Sequence, residues 1–230
     1  MNFNAVFSTP YQLNISFPSN IYNFSANSLT SNFRVALGNW NGNIDAPNGV
    51  VIFSIEGNAK TTFNGVVNIP ESVTNAFYMF YGCTALNQNI PIPDWITDCQ
   101  YMFSGCTVFN APINIPNSVT NCVGMFGGTA MNRDINIPDS VTNCADMFRK
   151  SSFNATVNIG NSVTNCHNMF RECSQFNQSI TIPNNVDDPY GMFNRVNNIR
   201  GQNIYTPSRF NASGGVADWS YEANRCIAWY

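Results

Sequence analysis

The chain has 230 residues and a formal net charge of −3, with 44% apolar residues but only 10% Asp, Glu, Lys and Arg, against a usual share of about 25%. So weak a field, with no basic patch in the linear sequence, argues against nucleic acid or an anionic membrane as partner. No apolar run is long enough to cross a bilayer as a helix, so no membrane insertion is expected; Asn, the commonest residue, supplies the polarity that charge usually provides.

Residues 1–39 alternate apolar with polar positions, as in Phe3, Ala5, Phe7 and then Leu13, Ile15, Phe17, and Ser8-Thr9-Pro10 and Pro18-Ser19-Asn20 break the runs. Short strands joined by turns are expected, forming an N-terminal β cap or attachment segment. The opening has neither the basic start nor the continuous apolar stretch of a secretory signal, so synthesis in the cytoplasm without a signal peptide is expected. The sequons at Asn14, Asn23, Asn154, Asn177 and Asn211 then read as chance products of an Asn-rich chain.

From residue 40 a repeat takes over. Met-Phe pairs recur at Met79, Met102, Met125, Met147, Met169 and Met192, in steps of 23, 23, 22, 22 and 23 residues, the signature of stacked coils. Prolines keep the same period at Pro70, Pro93, Pro116, Pro138 and Pro183, with Gly160 in the missing place. Six clear coils span 63–198 and a degenerate first coil 40–62. Each clear coil carries a Phe, Leu or Met column (Phe63, Leu86, Phe109, Met131, Phe153, Phe176), an i, i+2 aliphatic pair such as Ile113/Ile115, a Val or Ile such as Val119, and the Met-Phe pair. The i, i+2 pair puts both side chains on one face of a short strand. No 22-residue coil closes a core alone, so these columns must bury against their counterparts above and below. Past Asn198 the repeat decays into a tail, 199–230, with Trp219, Tyr221, Trp229 and Tyr230, expected to be a C-terminal cap or attachment segment.

Ile115-Pro116, Ser118-Val119-Thr120, Phe126 and the Gly82-Cys83 and Gly105-Cys106 turns resemble the BspA-like leucine-rich repeat family. Phe153-Asn154 and Met169-Phe170 look more like its sister repeat, in which MF replaces AF. The resemblance covers about residues 40 to 200 and implies a mainly β, leucine-rich-repeat solenoid of stacked 22–23-residue coils with short parallel strands and short turns or helices, capped at both ends. It implies architecture and an association with surface proteins rather than a shared reaction. It also gives the column Asn75, Asp98, Asn121, Asn143, Asn165 and Asp188 a structural role, hydrogen bonding the backbone of its own and neighbouring coils at a bend.

No catalytic constellation stands out. Cys99, Cys122, Cys144 and Cys166 fill one column and Cys83, Cys106 and Cys173 another, with Cys226 apart; without a C-x-x-C or H-x-x-x-H they read as small buried thiols rather than metal ligands. His167 beside Cys166 lacks the geometry of a catalytic pair. No carboxylate spacing singles out a calcium site or a glycosidase pair, so neither a metal nor a cofactor is expected. The candidate binding residues are the outward strand row Asn68, Asn114, Asn136, Asn158 and Thr181, where Pro91 fills one place, and a rim of Glu71, Asp94, Trp95 and Asp139. Amides that donate and accept at once suit hydroxyl-rich glycans or a partner's backbone, although stacking into their own ladder is the simpler role. The expected function is a non-enzymatic virion surface component, such as a tail, fibre or decoration subunit. It would meet other subunits through residues 1–39 and 199–230 and present its repeats to a glycan or protein receptor. The alternatives are a bacterial cell-surface adhesin or a carbohydrate-binding or carbohydrate-active module with Trp95, Tyr78 and Tyr101 as its sugar platform.

Overall fold

The computed structural model describes residues 62–197 and 199, and the strands 2–7, 12–15, 23–28, 32–37, 43–45, 52–56 and 204–205, among whose side chains only Ile44, Asp45 and Ile204 are placed. The Trp and Tyr tail from 206, with Cys226 and the sequon at Asn211, lies outside them. Eleven short strands and no helix occur among the described residues: β1 (Asn2–Phe7), β2 (Gln12–Ile15), β3 (Asn23–Ser28), β4 (Asn32–Leu37), β5 (Asn43–Asp45), β6 (Ile52–Glu56), β7 (Val67–Asn68), β8 (Ile135–Asn136), β9 (Val157–Asn158), β10 (Ile180–Thr181) and β11 (Ile204–Tyr205).

Every pairing is parallel and steps along the chain by about one repeat. One sheet runs β1-β3-β5-β7, with Phe3 opposite Phe24, Phe24 opposite Ile44 and Ile44 opposite Val67. A second runs β2-β4-β6, with Leu13 opposite Val35 and Val35 opposite Ile55. The boundary drawn at residue 40 therefore crosses a continuous sheet, because β3 in the expected cap pairs with β5 in the expected first coil. Further on, β8 pairs with β9 and β10 with β11. Between them the column Asn75, Asp98, Asn121, Asn143, Asn165 and Asp188 is joined by single parallel bridges, rung to rung. Proline explains why the strands are so short: it donates no hydrogen bond, and one ends the strand segment in most repeats.

The architecture is thus a mainly β repeat fold whose core lies between the strand row and the Met-Phe turns. Phe126 is fully buried, its ring 5.8 Å from that of Phe103 and 5.7 Å from that of Phe148. The column continues through Phe80, Phe170 and Phe193 at 5.5 to 5.6 Å. The turns are also cross-linked through the backbone, since the N–H of Phe80, Phe103, Phe126, Phe148 and Phe170 each donates to the carbonyl of the next repeat's Met.

Two columns of left-handed backbone shape each turn. The first holds Tyr78, Tyr101, Gly124, Asp146, Asn168 and Gly191; the second holds Gly82, Gly105, Gly128, Lys150, Glu172 and Arg195, all at φ between 52° and 76°. A side chain there costs roughly 1–2 kcal/mol, so the second column changes from its favoured residue to three strained ones halfway along the stack. Gly160 stands in a proline column for a different reason: a Cβ there would run into the carbonyl of Pro138.

Candidate functional site

The outward row falls where period-two alternation places it. In β7, β8 and β10 the first residue is buried and the second exposed, and in β9 Val157 is half-buried and Asn158 exposed. Asn68, Asn136, Asn158 and Thr181 therefore face solvent on strands, and Pro91 and Asn114 are exposed at the equivalent places in repeats whose segments stay irregular. The amide Nδ2 of Asn158 donates to Asn136 Oδ1 at 2.7 Å, one rung of an amide ladder. Beside it Asn117, Asn136, Pro138, Asp139, Ser140 and Asn158 line a polar depression of about 360 Å³.

Of the rim, Glu71, Asp94 and Asp139 are exposed. Asp139 also has a structural partner, because its Oδ1 accepts the N–H of Asn161 in the next repeat at 2.7 Å. Trp95 is half-buried and packs against the core, with its Nε1–H donating to the carbonyl of Pro70 at 3.1 Å. The tyrosines offer little free ring face either. Tyr78 and Tyr101 stack on each other at 5.1 Å, and the far face of Tyr101 covers Gly124, where a Cβ would meet its ring.

The polar column of the bend bonds chiefly to its own repeat. The Oδ1 of Asn75, Asp98, Asn121, Asn143, Asn165 and Asp188 accepts the N–H two residues on, at 2.7 to 3.2 Å. Contact with neighbours comes from the backbone bridges and from a few side chains: Asn75 Nδ2 donates to Asp98 Oδ2 at 3.4 Å, Asn121 Nδ2 donates to Gln100 Oε1 at 3.5 Å, and Asp188 Oδ2 lies 3.3 Å from His167 Nδ1. Burial raises the pKa of Asp98, against the opposing hydrogen bonds from Gln100 N–H and the Asn75 amide.

A second amide column, met in the sequence only as the Phe-Asn start of a repeat, joins neighbouring repeats. Asn64, Asn87, Asn110, Asn132 and Asn154 each accept, through Oδ1, the backbone N–H of the equivalent Asn in the next repeat at 2.7 to 3.0 Å. Its signal was available, since an Asn follows the first apolar residue of every coil. Thr97, Thr120, Thr142 and Thr164 form a parallel series, each hydroxyl donating to the previous Thr carbonyl.

Neither the thiols nor the histidine builds a reactive centre. Cys99, Cys122, Cys144 and Cys166 are fully buried free thiols, with the sulfurs of Cys144 and Cys166 3.6 Å apart. Burial pushes Cys99 and Cys122 well up, and Cys173 to about 11; for Cys144 the contact with Cys166 is the leading cause of a rise. Thiolates, the nucleophilic form, are thereby suppressed at neutral pH. His167 points away from the core, its Nδ1 3.3 Å from Asp188 Oδ2 and its ring against Tyr190, whereas Cys166 points in. Among the described residues no group of His, Cys, Asp and Glu is arranged to hold a metal ion.

These features define a mainly β repeat protein held together by in-register amide, Thr and Phe columns. The family model described as "Mycoplasma protein of unknown function, DUF285" matches residues 2–114, 51–161 and 98–206, and the chain belongs to that family. No curated protein matches it. Among solved structures, a leucine-rich repeat protein from Bacteroides ovatus is similar at 15% identity and a TM-score of 0.37, over 94% of this chain and 77% of that one.

Proposed function

We propose that the chain is a non-enzymatic binding protein, a leucine-rich-repeat solenoid that presents its outward strand row to a neutral glycan or to the backbone of a partner protein. The observation that carries this reading is the polar depression beside Asn136 and Asn158, where exposed amides on short strands keep donors and acceptors available together. The thiols are buried and the rim carboxylates belong to different repeats, which favours binding over catalysis. We infer display on a larger body, either a virion, the setting expected from sequence, or a bacterial cell surface. Residues 1–39 and 199–230 would attach the chain to that body, and imaging of the native particle or cell with labelled protein separates the settings.

The test of the binding face is Asn136→Ser with Asn158→Ser. Binding to host cells or an array of neutral glycans should fall about tenfold or more, a loss of about 1.4 kcal/mol, while the melting temperature stays within a few degrees. A large fall in melting temperature with unchanged binding per folded molecule would instead assign the row to structural support.

A further inference from the structure

The stack brings together charges that are scattered in the sequence. Five cationic side chains are described, those of Arg133, Arg149, Lys150, Arg171 and Arg195, and the last four sit in the Met-Phe turns of three consecutive repeats. Glu172 lies among them, with Arg171 Nε at 3.4 Å, and Lys150 Nζ and Arg195 Nη1 each at 3.9 Å. Asp146 lies 3.5 Å from Arg149 Nη1. Four cations against two carboxylates leave a local charge of +2 on a chain whose formal net charge is −3.

Two further observations set this edge apart. Lys150, Glu172 and Arg195 occupy the left-handed column that Gly82, Gly105 and Gly128 fill in the first three clear repeats. Strained, charged residues thus follow one another where the turn favours glycine, and strain retained in this way is a pointer to function. In addition, the guanidiniums of Arg149 and Arg171 are each paired with a carboxylate, Asp146 at 3.5 Å and Glu172 at 3.4 Å, yet their side chains stay 39% and 31% exposed, so part of each five-donor fork is open to a further acceptor.

We propose that this edge binds a linear acidic polysaccharide, one carrying a carboxylate or sulfate on successive sugars. Core ring spacings of 5.5 and 5.6 Å set the step between the three repeats, and each step, about the advance of one pyranose in an extended chain, adds at least one cation, with Arg149 and Arg171 in one column and Lys150 and Arg195 in the next. Side chains on one face of an extended peptide fall about 6.6 Å apart and lose that register. Guanidinium forks suit carboxylate and sulfate oxygens. The edge lies thirteen residues beyond the amide row, as Arg149 follows Asn136 and Arg171 follows Asn158, so it is a second site independent of the first.

The experiment compares retention of the full chain on immobilised polygalacturonate, on its neutral methyl ester, on polyglutamate and on a single-stranded oligonucleotide. Polygalacturonate should be bound at least tenfold more tightly than the other three, with affinity falling as salt is raised. Lys150→Gly with Arg195→Gly, which restores the residue of the early repeats, should weaken that binding at least tenfold while the melting temperature holds or rises. Failure to bind polygalacturonate, equal binding of the ester, tighter binding of polyglutamate or the oligonucleotide, or wild-type affinity in a folded double variant would each overturn the proposal.

Discussion

Replacing Phe126 with Ala tests the stacked core most directly. The ring is fully buried and lies nearly parallel to Phe103 at 2° and to Phe148 at 15°, with Phe109 a third neighbour at 6.4 Å. Aromatic side chains bury 150 Å² or more each, which at about 25 cal/mol per Å² corresponds to about 4 kcal/mol of transfer free energy. Rings on both sides cannot collapse into the gap without breaking their own backbone bonds to neighbouring repeats, so part of the cavity should persist and the loss should fall at about 3–5 kcal/mol. Phe193, whose described ring contacts are with Phe170 and Phe176, should lose less when truncated. Guanidinium melts followed by circular dichroism provide the comparison. Because repeats interact chiefly with their neighbours, a lower slope with two transitions is also expected for Phe126→Ala, the stack dividing at the damaged rung. A loss below about 1 kcal/mol, or one no larger than that of Phe193→Ala, would refute the reasoning.

Asn110→Ala removes the acceptor for the Asn132 N–H and should cost about 1 kcal/mol in the same melts, whereas Asn114→Ala, outward on the strand row, should stay within about 0.5 kcal/mol; equal effects would deny the ladder its role. Asp98→Asn keeps an acceptor for Gln100 N–H while removing a carboxylate whose pKa burial raises. A raised acid pKa means that the ionised folded state is disfavoured, so wild-type stability is lost as pH climbs through that raised value, and the variant's advantage should be present at pH 7 and vanish below the ordinary Asp value of 3.8. Titration of denatured, unreduced protein with a thiol reagent should find Cys99, Cys122, Cys144 and Cys166 all reactive, and the folded protein should protect them; fewer than four reacting after denaturation would indicate a disulfide.

The central repeats were legible because a period of 22 or 23 residues forces every buried column to recur, and Phe126 or Val119 has nowhere else to bury its side chain. The bend column was legible for the same reason, as Asn and Asp alone fill it. The Phe-Asn start of a repeat was legible at Phe153-Asn154, but the bonding role of the Asn64 column was not, because in so Asn-rich a chain an amide after an aromatic looks like ordinary surface. The N-terminal pairings were harder still: β1, β3 and β5 step by 21 and 20 residues, without the Ile-Pro and Ser-Val-Thr segments that mark later copies. The cationic edge could not be read linearly, since Arg149, Arg171 and Arg195 lie 22 and 24 residues apart in two adjacent columns and become neighbours only when the repeats pack together.

The Asn64-to-Asn177 column makes each repeat a unit with matching upper and lower surfaces, every rung taking a backbone donor from one side and offering its own to the other. Such units are interchangeable links. An in-frame duplication of residues 109–130 by recombination would insert one more rung without asking any existing side chain to change partner type, and a deletion would close in the same way. Length is therefore the cheapest property for a lineage carrying this gene to vary, and displayed surface can grow or shrink by whole copies while the chemistry at either end stays as it was.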